Sequence, residues 1–277
     1  MKYRGIDEKF INDLNSGELA FFLQRVKENP KLALCIRGGY INIYYRGGNL
    51  LKISKKGHGY LFKFDEKYCL NEKDAERIKE LDGNSTKDYE SNFERLICEM
   101  DTYFSKHPKD EREYQHNVLI NNPSVIDVEY QIGKKRFDML MVQDGKLIIV
   151  ENKYGTGAIN GKDGLAYHYC DICETIKDEN KLSEIKESVK RISKNKFELG
   201  ITDKEYTSEK IDAAETEILF LVADFNQKSG AINKEVELMN KMNKMNNNSI
   251  NTKLLFMEKD NYRIDYSEAK DLFTYGN

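Results

Sequence analysis

Between residues 6 and 30 the apolar positions Phe10, Ile11, Leu14, Leu19, Phe22, Leu23 and Val26 recur at helical spacing until Asn29-Pro30, so this stretch reads as a helix. The pattern then shortens into runs over 32–37, 40–46, 49–54 and 60–64, separated by Gly38-Gly39, Gly47-Gly48 and Gly57-His58-Gly59. Such β-rich runs with glycine punctuation predict a four-stranded antiparallel meander. Residues 71 to 90 are polar and charged around Asp82-Gly83-Asn84-Ser85. The domain boundary is placed there, giving a small N-terminal α+β accessory unit over 1–82 and a larger domain over 83–277.

Beyond that stretch, Phe93, Leu96, Ile97, Met100 and Phe104 form a helical stripe that ends before Pro108. A second helix is expected from about 111 to 120, stopped by Asn121-Asn122-Pro123, with Asp110 and Glu113 at capping-box spacing at its start. Residues 125 to 132 alternate as a strand. Two apolar runs then flank Asp144-Gly145, the pattern of a two-residue hairpin turn. A glycine-rich segment, 155–164, leads into a helix carrying Leu165, Tyr169, Ile172 and Ile176 on one stripe and His168, Asp171 and Thr175 on another. A charged helix over 180–196 follows. An apolar run over 216–223 predicts a strand parallel to the one ending at Lys153, reached by a right-handed crossover. Last come a helix over 231–245, a loop at Asn246-Asn247-Asn248 and a strand over 253–257.

The hairpin carries the candidate chemistry. With Asp144 and Gly145 in the turn, Gln143 pairs with Lys146, and counting outward sets Asp138 across from Glu151. Alternation puts Lys153 on the Glu151 face, with Arg136 opposite it, while Leu140, Val142, Leu147 and Ile149 make the rest of that face apolar. Opposed acids in a sheet need a compensating cation, and a hard divalent ion held by carboxylates fits.

Phe137-Asp138, one hairpin, then Glu151-Asn152-Lys153 resembles the PD-(D/E)XK nuclease superfamily over roughly residues 110 to 225; Phe137 stands where the motif's name has proline. The resemblance implies an α/β fold with a restriction-endonuclease-like core: a helix, three strands, a helix and a strand, with a mixed sheet flanked by helices. It implies a Mg2+-dependent hydrolase, with Mn2+ as a substitute, that cleaves phosphodiester bonds of nucleic acid, DNA favoured over RNA. Asp138, Glu151 and the backbone carbonyl of Asn152 would hold the metal, and Lys153 would orient water or neutralise charge on phosphorus oxygens. The superfamily's first core helix often adds an acid, for which Glu113 is the candidate and Glu94 the substitute. The helix after the lysine strand borders the cleft, which makes His168 a candidate for contacting phosphate or water. Arg136, Lys190 and Arg191 are candidates for holding the nucleic-acid backbone. The alternative from another class is a module on the same fold that binds nucleic acid or a protein partner without cutting.

The composition, 33% charged and 39% hydrophobic with 17 Tyr, 13 Phe and no Trp, is that of a globular protein. A net charge of −3 argues against a bulk electrostatic DNA binder, but a local cationic site with bound metal remains compatible. No run reaches membrane-spanning length and the start lacks a signal-peptide core, so a cytoplasmic protein without membrane partners is expected, with homodimer formation left open. Five cysteines do not form a disulfide framework, and Cys170-Asp171-Ile172-Cys173 reads as two reduced thiols on a helix. Tyr40, Tyr44, Tyr45, Tyr60, Arg37 and Arg46 of the meander fill and edge a small sheet, with contact to single-stranded nucleic acid as the second reading. The Gly155 segment is a poor nucleotide loop: Asn160 occupies its third glycine position, and the strand before it closes a hairpin.

Overall fold

The apolar stripe of residues 6 to 30 slips phase between Leu14 and Leu19, and in the computed structural model it is carried by two helices, α1 (Glu8–Ser16) and α2 (Ala20–Glu28). Gly17 is where the single expected helix breaks, because glycine is costly in a helix interior. The N–H groups of Gly17 and Leu19 both return to the Asp13 carbonyl, at 3.1 and 2.9 Å. The turn re-aims the stripe, so Phe10, Ile11 and Leu14 of α1 and Phe22, Leu23 and Val26 of α2 are all buried. The structure describes residues 3–161, 164–226, 229–246 and 250–274; Lys162, Asp163, Asn247 and Asn248, which belong to two expected loops, lie outside them.

The chain forms two compact units, Met1–Ile120 with Arg191–Glu205, and Asn121–Lys190 with Tyr206–Asn277. In the first, β1 (Leu32–Ile36), β2 (Tyr40–Tyr45), β3 (Gly48–Lys56) and β4 (Gly59–Lys63) make the expected antiparallel sheet in chain order. The polar stretch after it contains α3 (Glu72–Lys79), capped by Asn71 and burying only Ile78, which is why apolar periodicity does not reveal it. Next come α4 (Thr86–Lys106), capped by Ser85, and α5 (Asp110–Asn121). The unit therefore continues past the polar stretch. Its aromatic core joins α4 to the sheet and α2, with Phe62 stacked on Tyr89 at 5.1 Å, Phe22 against Phe93 at 5.9 Å and Tyr68 against Phe104 at 5.7 Å.

The second unit is built on a six-stranded mixed sheet. Its strands are β5 (Val125–Ile132), β6 (Lys135–Gln143), β7 (Lys146–Tyr154), β8 (Glu215–Ala223), β9 (Thr252–Met257) and β10 (Lys270–Asp271), in spatial order β10-β9-β8-β7-β6-β5. β5, β6 and β7 are antiparallel, β7, β8 and β9 parallel, and β10 antiparallel. Between β7 and β8 run α6 (Leu165–Lys177), α7 (Glu179–Glu198) and the short α8 (Ser208–Ala213); α9 (Ala231–Asn246) joins β8 to β9. The mixed α/β architecture is thus as expected, with α3, α8 and β10 added to it.

Helices lie on both faces of this sheet. On one, Glu235 of α9 accepts the Ala166 N–H of α6 at 2.8 Å, and Tyr169 of α6 donates to Asn243 of α9 at 2.5 Å. On the other, Tyr130 of β5 bonds Ser188 of α7 at 3.0 Å. The central strands β7 and β8 are buried almost end to end, as strands covered on two faces must be. No helix among the described residues is long and apolar enough to cross a membrane.

The aromatic core of the first unit makes one outcome definite. A chain beginning at Thr86 would keep α4 but lose Phe22, Phe62 and Tyr68, its partners, and should aggregate or unfold without a cooperative thermal transition. A soluble chain of that length with a sharp transition would contradict this packing.

Candidate active site

Asp144 and Gly145 both have positive φ, 51° and 76°, the conformation of a type I′ turn, which matches the twist of the strands it joins. Gln143 pairs with Lys146, and the register runs outward through Leu140–Ile149 to Met139–Val150. One further step brings Asp138 opposite Glu151. The backbone ladder stops there, and the Asn152 N–H donates instead to the Asp138 carboxylate at 2.9 Å. In a strand the carbonyl points the same way as the N–H of its residue, so the Asn152 carbonyl also faces the edge that Asp138 occupies.

Glu151 and Lys153, two apart on β7, share a face and are both buried, at 2% and 5% exposed. The Lys153 Nζ is 3.0 Å from Glu151 Oε1. His168, in the first turn and a half of α6, brings its Nδ1 to 3.0 Å from the same oxygen. A buried carboxylate thus faces an ammonium and an imidazole. A charge so deeply buried is tolerable only when paired and hydrogen-bonded. Asp138 is half-buried beside it. Asn152, alternating with its neighbours, points to the opposite face, where both polar atoms of its amide are buried without a hydrogen-bond partner among the described residues.

Arg136, at the open end of β6, is exposed and forms no ion pair among the described residues. Its neighbour Lys135 bonds Asp171 and Glu174 of α6 at 3.1 and 2.5 Å. Burial works against the Lys135 charge, but those two acids outweigh it and raise its pKa. Cys170 and Cys173 on α6 are held as thiols: burial pushes Cys173 up to about 11 and raises Cys170 as well. Among the described residues no three His, Cys, Asp or Glu side chains are grouped to hold a metal ion.

The remaining candidates are engaged elsewhere. Glu113 belongs to the first unit, where Arg46 grips it with Nε at 2.9 Å and Nη2 at 3.1 Å. Glu94 of the same unit is paired with Arg25. Lys190 bonds Glu187 and Asp212, each at 3.1 Å, and the Arg191 guanidinium lies 5.0 Å from the centre of the Tyr3 ring. Among the candidates, Asp138 is bonded by the Asn152 N–H, and Lys153 and His168 both meet Glu151, the neighbour of Asn152 in the chain.

Two residues that sequence reasoning passed over stand near these candidates in register or in sequence. Glu129 lies between Val128 and Tyr130, whose partners on β6 are Met139 and Phe137, so its register position is opposite Asp138. Glu129, Asp138 and Glu151 thus hold successive register positions on three neighbouring strands, without their side chains forming a group able to hold a metal ion. The signal was the short turn at Gly133-Lys134, which pairs Ile132 with Lys135 and sets this register. Glu129 also has φ +48°, a left-handed backbone rare for glutamate. The second residue is Tyr167, exposed beside His168, with the two rings 6.4 Å apart and nearly perpendicular.

The buried pair yields a stability test. Lys153→Ala would strip Glu151 of a buried partner and should lower the unfolding free energy by about 3 kcal/mol. Arg136→Ala, at an exposed position, should change it by less than about 0.5 kcal/mol. Urea unfolding curves of the two variants would check this, and equal effects would contradict the assigned burial. Comparison of the chain with family models, curated proteins and solved structures finds no match.

Proposed function

We propose that this protein is a metal-dependent nuclease that hydrolyses phosphodiester bonds of nucleic acid, built on a restriction-endonuclease-like core. The observation that carries the reading is the hairpin register, which brings Asp138 to the edge of Glu151 with Lys153 Nζ 3.0 Å from the glutamate. The order β5, β6, β7, α6 and β8 within the second unit is in keeping with the three strands, helix and strand of that core, with α7 and α8 inserted between α6 and β8, while α5, at the place of its first helix, belongs to the first unit.

The donor set suits Mg2+. Asp138, Glu151 and the Asn152 carbonyl are hard oxygens, two of them anionic, and Mg2+ takes one or two carboxylates with water and phosphate as the remaining ligands. Carboxylate and carbonyl oxygens suit this ion better than zinc, which draws on nitrogen and sulfur. When bound, the ion supplies Lewis-acid polarisation of phosphoryl oxygen and acidifies water.

The chain's own residues carry the rest. Lys153 brings a positive charge to the phosphate oxygens as negative charge builds on them. It also orients the attacking water through its three donors. His168 holds the Glu151 carboxylate from the other side and is a positioning residue. The half-buried Asp138, fixed by the Asn152 N–H, keeps its carboxylate directed along the open edge between β6 and β7.

Incubating the full chain with circular single-stranded DNA, linear duplex DNA and RNA, in Mg2+, Mn2+ or EDTA, tests the reading. Cleavage should occur with either metal, stop in EDTA, and vanish in Asp138→Ala and Glu151→Ala. Lys153→Ala should lower kcat roughly 100-fold or more while leaving substrate affinity near wild type. Full activity in EDTA or in either acid variant would overturn the mechanism. Binding of nucleic acid without cleavage in any metal would favour the silent module on the same fold.

A further inference from the structure

Tyr167 is the most exposed large apolar side chain among the described residues, at 56%. It contributes nothing to the core, since Leu165, Ala166, Tyr169 and Ile172 supply the buried face of α6. Tyrosine is also an indifferent helix former, so neither packing nor propensity accounts for it at a solvent-facing helix position. Its hydroxyl forms no hydrogen bond among the described residues, and the single ring contact is the perpendicular one with His168.

Its placement is defined from two sides. His168, the next residue, reaches Glu151 at 3.0 Å. Tyr167, Asp171 and Glu174 follow one another at four- and three-residue steps along one face of α6. Lys135 bonds the last two, which aligns that face with the start of β6, where Arg136 and Asp138 follow. An open aromatic ring one residue from His168 and an exposed guanidinium two residues from Asp138 therefore lie on the two elements that Lys135 ties together.

Resting on the nuclease reading, we propose that Tyr167 is a stacking platform for an unpaired nucleobase next to the scissile phosphate, with Arg136 holding a neighbouring phosphate, and that the substrate is single-stranded nucleic acid. Inside a duplex both faces of each base are covered by its neighbours, so a protein ring finds a free face only where the strand is unpaired. Base-on-aromatic stacking tolerates any sequence because every base presents a π face. The arrangement thus selects strandedness and not sequence.

The test uses the full chain, in EDTA and again with Ca2+, and a single-stranded oligonucleotide carrying 2-aminopurine, whose fluorescence falls on stacking. A blunt duplex of the same sequence is the control. Wild type and Tyr167→Phe should bind the single strand with similar affinity and quench the probe. Tyr167→Leu and Tyr167→Ala should bind it about tenfold more weakly and lose the quench, with duplex affinity and melting temperature unchanged. Unaltered single-strand affinity and quench in Tyr167→Ala would overturn the proposal, as would a wild type that does not bind or quench the single strand. Cleavage by wild type with no Tyr167 effect would remove the stacking role and leave the nuclease reading standing. Tyr167-dependent quenching in a protein that cuts nothing would do the reverse.

Discussion

The register between β6 and β7 is the constraint on which the rest of the second unit depends. A slip of one residue would send every side chain of a strand to the other face. Asp138 would then leave the Glu151 side, and Leu140 and Val142 would leave the apolar face behind it. Two features hold the register in place: the type I′ turn at Asp144-Gly145 and the apolar residues on both faces of the buried strands. The turn sits at one end of the hairpin and the acids at the other. The intervening pairs transmit the geometry from Gln143–Lys146 to Met139–Val150, after which the ladder gives way and the Asp138 carboxylate takes over the Asn152 N–H.

Two buried glutamates on neighbouring strands show what distinguishes a site from a structural anchor. Glu217 of β8, 1% exposed, is bonded by Lys146 at 2.5 Å, Asn251 at 2.6 Å and the Tyr266 hydroxyl. Burial alone would raise its pKa, but these donors prevail and lower it, and the carboxylate ties β7, the residue before β9 and the C-terminal segment together. Glu151 instead shares one oxygen between Lys153, two residues along its own strand, and His168 of α6. Beside it the β6–β7 ladder opens, and the buried Asn152 amide finds no partner among the described residues, a cost that folded proteins concentrate where function competes with stability.

Most of the sheet was legible because strands read from their own periodicity and turns. Val125–Ile132 and the Asp144-Gly145 hairpin follow from alternation and turn chemistry, and the parallel β8 from an apolar run too long to be half-exposed. The helix broken at Gly17 was hidden because the stripe resumes after the turn, and α3 because it buries a single residue. The placement of the candidate residues was legible where it depended on register, as with Glu151 and Lys153 on one face of β7. It was not legible where it depended on which charges find partners: Glu113, Lys190 and Arg191 look available in a sequence but are held by Arg46, by Glu187 and Asp212, and by the Tyr3 ring. The exposure of Tyr167 was hidden for the opposite reason, since an aromatic in a helix reads as core until its surroundings are known.

The central claim is that the splayed end of the β6–β7 hairpin is a place for a hard divalent cation. A crystal soaked in Mn2+, measured at the manganese absorption edge, tests it without reference to turnover. The account predicts an anomalous peak within bonding distance of carboxylate oxygens from both Asp138 and Glu151, lost in crystals of Asp138→Ala. A well-ordered Asp138–Glu151 edge with no peak, or manganese bound only elsewhere on the chain, would contradict it.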